Sequence, residues 1–248
     1  MPILFFEEEH KYVVTEKPDL KLTSVSSVVH SVVPSFDRET ISRNYAKKHK
    51  RTQEDVLEEW DAKNKRALTR GSLFHAEEEQ RTLKGGGISG YNAIDSNTKE
   101  ALNLRNLSPG VYTELIIPYL PAALIGTADK ITIHPDRSFS ILDYKTNEKL
   151  SFEATAYWKP ALKRKEKGFL LTPVSHLEDC NGVHYLLQLS LYSLFLEKYG
   201  YKFRDGIIEH IIFDDYSTIT PKMINRVQYP LVFLKKEAEA LITHYQRK

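Results

Sequence analysis

Two aspartates and a lysine fall within one short stretch of the chain, Gly126 to Lys149, and could together perform metal-assisted chemistry. The stretch is GTADKITIHPDRSFSILDYKTNEK. Its turn residues around Asp136 predict a hairpin. If the turn is centred there, Asp129 and Asp143 lie opposite each other with Cβ atoms roughly 5 Å apart, although a turn centred half a residue away would shift the pairing by one. Side chains alternate along a strand, so Asp143 and Lys145 point the same way.

Two carboxylates at that separation repel each other unless a cation lies between them. Hard oxygen ligands suit Mg²⁺ or Mn²⁺. Lys145 is too strongly cationic to bind a metal, but it could orient a metal-bound water or stabilise an oxyanion. A metal that activates water beside a phosphodiester is the chemistry of nucleic-acid hydrolysis. The competing interpretation is an ordinary Asp–Lys salt bridge on an exposed strand, with Asp129 as a turn residue.

Three short motifs occur in an order that resembles the PD-(D/E)XK nuclease superfamily, and most closely its RecB-like exonuclease branch. They are RGSLFHAEEE, which contains Arg70, Gly71 and His75, then GTAD followed by ILDYKT, and then QLSLY, which contains Gln188 and Tyr192. Together they span nearly half the chain. The proline in the superfamily's name is absent before Asp129, as is common in that branch.

The resemblance implies a set of site residues. Asp129, Asp143, His75 and the Tyr144 backbone carbonyl would hold one or two Mg²⁺ or Mn²⁺ ions, and Lys145 would orient the attacking water. Gln188 and Tyr192, four residues apart on one helix face, would support the site or contact the substrate backbone, and His184 extends their stripe by one turn. Further acidic ligands could be Glu114, one strand before GTAD, or Glu79, which lies at i+4 from His75 and could share its helix face.

A basic stretch is the predicted contact with the phosphate backbone of DNA. It contains Lys159, Lys163, Arg164, Lys165 and Lys167, and we add Arg70 to this set. Such contacts make binding salt-sensitive. An ordinary solvated surface is the alternative. Aromatic residues that interleave with the stretch could stack on unpaired bases or belong to the core: Tyr157, Trp158 and Phe169.

Composition limits the function classes. The 248 residues carry a formal net charge of +2, so charge alone does not indicate a nucleic-acid binder. One cysteine, Cys180, cannot hold the four-cysteine iron–sulfur cluster of some relatives. No run is long and apolar enough for a membrane span, and the N-terminus turns acidic too soon for a secretion signal. KGGGISG lacks the Lys-Ser/Thr of a P-loop and is interpreted as a linker. We expect a cytoplasmic protein.

The predicted fold is α/β, with a restriction-endonuclease-like core, a mixed central β-sheet flanked by helices, and a helical N-terminal half. One domain, 1–248, divides into an N-terminal elaboration (1–70), a catalytic core (71–215) and a C-terminal helical segment (216–248). Helical spacing predicts two or three helices over 37–83 and another near Ala93 to Leu104. FEATAYWKPALKRKEKGF is predicted as helix or loop, and GVHYLLQLSLYSLFLEKYG as an amphipathic helix closed by Gly200.

The resulting functional prediction is a Mg²⁺- or Mn²⁺-dependent deoxyribonuclease, acting as an exonuclease on DNA ends. A structure-specific or restriction-like endonuclease on the same core is one alternative. A non-catalytic module that binds nucleic acid or another protein is the other. RNA remains open as a substrate because a carboxylate–metal site does not distinguish sugars. A helicase or recombination partner, or an oligomer, is compatible with the family but is not indicated by any residue.

Overall fold

A computed structural model describes residues 2–9, 11–159 and 164–247. Within them the chain is α/β, with a mixed sheet flanked by helices, as predicted. The helices are α1 (Val25–His30), α2 (Arg38–His49), α3 (Gln53–Lys84), α4 (Asn181–Lys198) and α5 (Lys235–Tyr245). The strands are β1 (Ile3–Phe6), β2 (Lys11–Val14), β3 (Thr23–Ser24), β4 (Ile88–Ser89), β5 (Tyr91–Ala93), β6 (Thr98–Ala101), β7 (Gly110–Tyr119), β8 (Leu124–Ile133), β9 (Ser138–Lys145), β10 (Tyr157–Lys159), β11 (Arg164–Glu166), β12 (Lys202–Phe213) and β13 (Met223–Pro230).

The central sheet has seven strands, in the order β13-β12-β9-β8-β7-β4 with β3 paired to β8. Strands β7, β8 and β9 form an antiparallel meander, whereas β12 runs parallel to β9. Helix α4 packs on one face, and most of its residues are buried there. Helix α3 contributes Phe74 to a smaller cluster with Tyr144, Ile211 and Phe213. The sheet therefore lies between α4 and α3.

A second, four-stranded sheet has the order β2-β1-β6-β5. It packs on the central sheet through a cluster that includes Ile3, Val14, Ile116 and Ile125. The helix predicted near Ala93 to Leu104 is wrong, because this segment forms β5, β6 and a short 3₁₀ turn. Its residues pair with β1, some ninety positions earlier in the sequence, and a local pattern does not show such a partner.

Other predictions need smaller corrections. The two helices α2 and α3 occupy the region where two or three were predicted, and α3 runs through the boundary proposed after residue 70. The basic segment was predicted as helix or loop, but its described residues include β10 and β11, which pair antiparallel. The C-terminal segment 216–248 contains strand β13 before its helix α5. The single-domain division stays a prediction.

Candidate metal centre and adjoining cleft

The β8–β9 hairpin has the predicted register. Lys130 pairs with Leu142 and Ile131 with Ile141, so Asp129 and Asp143 are the next opposed positions. There the ladder gives way to a side-chain contact, because the Tyr144 N–H donates to Asp129 Oδ2 at 2.7 Å. A buried carboxylate thus takes the place of a backbone acceptor at the point where the strands part. Each of these two aspartates is held by its own strand.

Lys145 lies on the same face as Asp143, as the alternation of side chains predicted. Its Nζ is 2.6 Å from Asp143 Oδ2, and both side chains are largely buried. A salt bridge therefore exists, but the exposed-surface interpretation is wrong, because the pair lies inside the protein. A buried ion pair of this kind is costly to desolvate and is weak evidence of a purely stabilising role.

Helix α3 places His75 beside this hairpin. The helix begins with a capping box formed by Thr52 and Asp55, and the edge of the Phe74 ring packs against Tyr144 with centroids 5.6 Å apart. A Cβ on Gly71 would be 3.3 Å from Thr146 Oγ1, so glycine permits a close approach of the helix to β9. His75 Nδ1 consequently lies 3.2 Å from Asp129 Oδ1.

Glu114 is the third member of the cluster, and its backbone has an unusual conformation. It occupies the position across β7–β8 from Asp129, between the pairs Thr113–Lys130 and Leu115–Ala128. Its φ is +53°, in the left-handed region that non-glycine residues rarely adopt. Such strained residues concentrate at functional sites.

Three potential ligand atoms, one each from His75, Glu114 and Asp129, lie within 4.8 Å of one another. An imidazole nitrogen and two carboxylate oxygens are donors that suit Mn²⁺ or Mg²⁺. Asp143 is not a member of this triad, since it is drawn to Lys145. The sequence placed Glu114 second to Asp143 as a ligand, whereas the geometry places it first.

The electrostatics of the cluster indicate excess negative charge. The Asp129 carboxylate raises the pKa of His75 to about 9. Burial, together with the charge of Asp129, raises the pKa of Glu114 to about 8. Burial also raises the pKa of Asp143 to about 6, although Lys145 opposes this. A divalent cation would replace the protons that Glu114 and His75 otherwise retain.

Asp129 and Lys145 stay charged within this cluster. Burial alone would raise the pKa of Asp129, but the His75 imidazolium outweighs it and the pKa is lowered. Burial would lower the pKa of Lys145, but the carboxylates of Asp143 and Asp129 outweigh it and the pKa is raised. Lys145 is therefore a persistent ammonium and a poor proton acceptor.

Helix α4 supports the hairpin from the other side. Gln188 Nε2 donates to the Tyr192 hydroxyl at 3.1 Å. A Cβ on Gly126 would be 2.3 Å from Tyr192 Cε1, so glycine is what allows the tyrosine ring to rest on β8. The predicted supporting role of Gln188 and Tyr192 is consistent with this geometry, while their contact with a substrate stays a prediction.

Tyr185 is a site residue that the sequence analysis missed. Lys145 Nζ lies 4.4 Å from the centroid of its ring. The Tyr185 hydroxyl accepts from Asn147 Nδ2 at 2.7 Å, and the Asn147 carbonyl is 2.7 Å from His210 Nε2. The α4 stripe therefore continues from Gln188 to Tyr185. The predicted extension of this stripe to His184 is wrong, because the His184 imidazole bonds to Asp179 at 2.9 Å.

Glu78 and Glu79, adjacent on α3, have different environments. Glu79 borders the cleft and accepts from the Tyr91 hydroxyl at 2.8 Å. Glu78 is buried and bonds to Arg226 at 2.5 Å, and Arg226 also bonds to the buried Glu209 at 2.9 Å. Glu79 can thus reach a ligand in the cleft, whereas Glu78 fastens α3 to the sheet.

Arg70 is buried, which argues against the nucleic-acid contact that we predicted for it. It is only 4% exposed. Its Nη1 donates to the carbonyls of Tyr216 and Thr218 at 3.2 Å each, and its guanidinium stacks over the Phe213 and Tyr216 rings. The residue anchors the segment after β12 against α3, because guanidinium groups combine planar stacking with several hydrogen bonds.

The predicted DNA-contacting stretch is only partly described. Lys163 lies outside the described residues, and Lys159 and Arg164 are paired backbone positions of the β10–β11 hairpin. Lys165 is exposed, whereas Lys167 pairs with Glu178 at 2.7 Å. Phe169 is 48% exposed and so is not a core residue. The DNA contact made by this stretch stays a prediction.

A cleft of about 440 Å³ opens beside the cluster, and His75, Glu79 and Glu114 line it. Its opposite wall comes from the four-stranded sheet. A larger cavity of about 680 Å³ lies between that sheet and Tyr199, away from all of the predicted site residues. The predicted site residues therefore border the smaller cleft.

Comparisons with known proteins add no relative: no family model, no curated protein and no solved structure matches the chain. Among the described residues, the helices are too short or too polar to cross a membrane. The functional assignment consequently depends on the geometry of the cluster and on the three sequence motifs.

Proposed function

We propose that this chain is a Mg²⁺- or Mn²⁺-dependent nuclease that hydrolyses phosphodiester bonds of DNA, acting as an exonuclease. One observation carries the proposal. The His75–Glu114–Asp129 triad, with ligand atoms within 4.8 Å of one another, borders a cleft, and a buried Asp143–Lys145 pair adjoins it at the end of the same hairpin. A metal ligand set beside a buried ammonium suits hydrolysis of an anionic ester.

The ion would be held by His75, Asp129 and Glu114, with Asp143 and the Tyr144 carbonyl as further ligands and Glu79 in reach of the cleft. When bound, it would polarise the phosphate and lower the pKa of a coordinated water. The His75 imidazolium must lose a proton before it can bind the ion. The Asp129 carboxylate opposes this loss by raising the pKa of His75, and the positive charge of the ion would replace that of the proton.

Lys145 would orient the attacking water and stabilise charge on the phosphate. Its raised pKa keeps it protonated at neutral pH, so it acts as a hydrogen-bond donor and not as a base. The Tyr185 ring and the Asp143 carboxylate hold the ammonium in place. Positioned donors of this type are effective in a site that excludes most water.

The first experiment measures degradation of linear DNA with Mg²⁺ or Mn²⁺, with EDTA as the control. Covalently closed circular DNA separates the exonuclease, which needs ends, from an endonuclease. Lys145→Ala should lower the rate at least 100-fold, as loss of one transition-state donor typically does. Lys235→Ala removes a lysine–carboxylate pair of the same length, with Glu197 at 2.6 Å, that is more exposed and lies outside the site, and this variant should cut like the parent. A protein that shifts DNA in a gel without metal-dependent product would instead be a binding module.

A further inference from the structure

The wall of the cleft opposite the metal ligands is aromatic. The four-stranded sheet presents Phe5, Tyr12 and Tyr91 there, and each of these rings is half-buried. Phe5 and Tyr12 stack on each other with centroids 4.5 Å apart. Across the cleft lie His75 and Glu114. The wall with His75 and Glu114 could bind an anion by means of a bound metal ion. The aromatic wall suits a flat apolar group.

The polar groups of this aromatic wall are already engaged within the protein. The Tyr91 hydroxyl donates to Glu79, and Lys99 Nζ lies 4.3 Å from the Tyr91 ring centroid while it pairs with Glu7. The Tyr12 hydroxyl bonds to Thr127 Oγ1 at 3.0 Å. What the wall offers to a ligand is therefore ring surface, which stacks on any base without distinguishing base edges.

The Tyr12–Thr127 bond also joins the two sides of the cleft. Tyr12 belongs to β2 of the small sheet, and Thr127 lies on β8 two residues before Asp129. This bond bridges the cleft between the two sheets. The cleft volume of about 440 Å³ is at the small end of ligand sites, so we expect it to suit one terminal nucleotide better than a continuing strand or a base pair.

We propose that the cleft binds one unpaired nucleotide at the end of a strand, with its base against Phe5, Tyr12 and Tyr91 and its phosphate towards His75, Glu114 and Asp129. The placement of the phosphate rests on the proposed nuclease function, whereas the placement of the base does not. The substrate is then a single-stranded or frayed end of any sequence.

The test is binding of fluorescein-labelled dT12 by fluorescence anisotropy, in Ca²⁺ buffer, with gel analysis to verify that the oligonucleotide stays intact. A matched dT12 carries abasic sites at both terminal nucleotides, which makes the result independent of strand polarity. Stacking of one base on aromatic rings corresponds to about 5- to 150-fold in affinity. The wild-type protein should therefore bind the unmodified strand more tightly by a factor in that range. A blunt duplex should bind as weakly as the abasic strand.

Two variants assign the effect to the wall. Phe5→Leu, Tyr12→Leu and Tyr91→Leu combined in one chain remove all three rings and should abolish the preference for the unmodified strand. Tyr12→Phe with Tyr91→Phe keeps the rings and should retain the preference. Tyr45→Leu, an exposed tyrosine on α2 outside the cleft, is the matched control and should behave like the wild type.

Equal binding of the unmodified and abasic strands by the wild-type protein would overturn the proposal, even if a leucine variant failed to fold. So would a leucine variant that folds and keeps the preference. If the base preference is present but no metal cleaves any DNA, the aromatic base site stands and the nuclease function fails. If DNA is cleaved with no base preference, the nuclease function stands and this inference fails.

Discussion

The Tyr192 ring lies directly on Gly126, at a distance that leaves no room for a β-carbon. An added Cβ would be 2.3 Å from Tyr192 Cε1 and 2.8 Å from its hydroxyl oxygen. The contact joins the GTAD and QLSLY motifs, which lie more than sixty residues apart in the sequence. It explains in steric terms why a glycine and a tyrosine occur together in the two motifs.

Gly126→Ala should therefore destabilise the protein by about 1–3 kcal/mol, the typical effect of overpacking a core. Urea unfolding followed by circular dichroism measures it. Tyr192→Leu in the same chain should recover part of the loss, because the two changes share one contact. Gly85→Ala, where the nearest atom would be at 3.4 Å, should change stability by less than about 0.5 kcal/mol. Additive effects of the first two changes would contradict the steric explanation.

The metal-free protein should lose stability as the pH rises from 6 to 9.5. In this window the folded protein binds more protons than the unfolded chain, because Glu114 titrates near 8 instead of 4.5 and His75 near 9 instead of 6.5. Stability falls wherever the folded state holds the extra protons. Thermal unfolding across this pH range in EDTA checks the sign.

Glu114→Gln supplies the control for this pH dependence. The variant cannot lose a proton at position 114, so its melting temperature should fall less steeply over the same pH range. A slope equal to that of the wild type would show that Glu114 is not the group that titrates.

Mn²⁺ should raise the melting temperature, since an ion that binds only the folded state at 100 times its Kd contributes about 2.7 kcal/mol. His75→Gln should weaken Mn²⁺ binding at least 10-fold, measured by calorimetry. His184→Gln is the matched control, because His184 forms a similar bond to an aspartate, Asp179 at 2.9 Å, outside the triad. Equal loss of affinity in both variants would argue against a specific site.

Arg226→Met should destabilise the protein by about 1–3 kcal/mol, because the buried carboxylates of Glu78 and Glu209 lose one charged partner and keep only Arg81 and Gln228. Glu78 lies one turn beyond His75 on α3, so Mn²⁺ affinity should fall as well. Arg38→Met, which removes an exposed pair with Asp61, should cost less than about 1 kcal/mol. Unfolding and calorimetry on both variants provide the comparison, and unchanged Mn²⁺ affinity in a folded Arg226→Met protein would separate the network from the site.

The sequence predicted what local patterns encode. Alternation along β9 placed Asp143 and Lys145 on one face, and the turn at Asp136 set the register opposite Asp129, where the Asp136 carboxylate accepts from the Ser138 N–H. These features depend on neighbours within a few residues or on one hairpin. The place of His75 in the cluster was instead implied by the resemblance that its RGSLFH motif carries.

What the sequence did not predict depends on distant partners. Arg70 was predicted to contact nucleic acid, but its guanidinium is buried and donates to the carbonyls of Tyr216 and Thr218. The segment of β5 and β6 was predicted as a helix, yet it joins the sheet of β1. Tyr185 was not singled out, because its position beside Lys145 requires the parallel pairing of β9 with β12 and the packing of α4. No pattern along the chain contains that information.

The aromatic wall of the cleft has a consequence for the order of folding. Leu4 in β1 pairs with Glu100, and Thr23 bonds to Tyr245 near the other end of the described chain. Contacts of such long sequence separation form late, since they must overcome the largest loss of chain entropy. During synthesis β1 and β2 can pair with each other, but the small sheet lacks its other two strands until β5 and β6 have emerged. We expect the metal ligands to assemble on the central sheet before the cleft acquires its second side, so that a folding intermediate would bind the ion yet lack a place for the base.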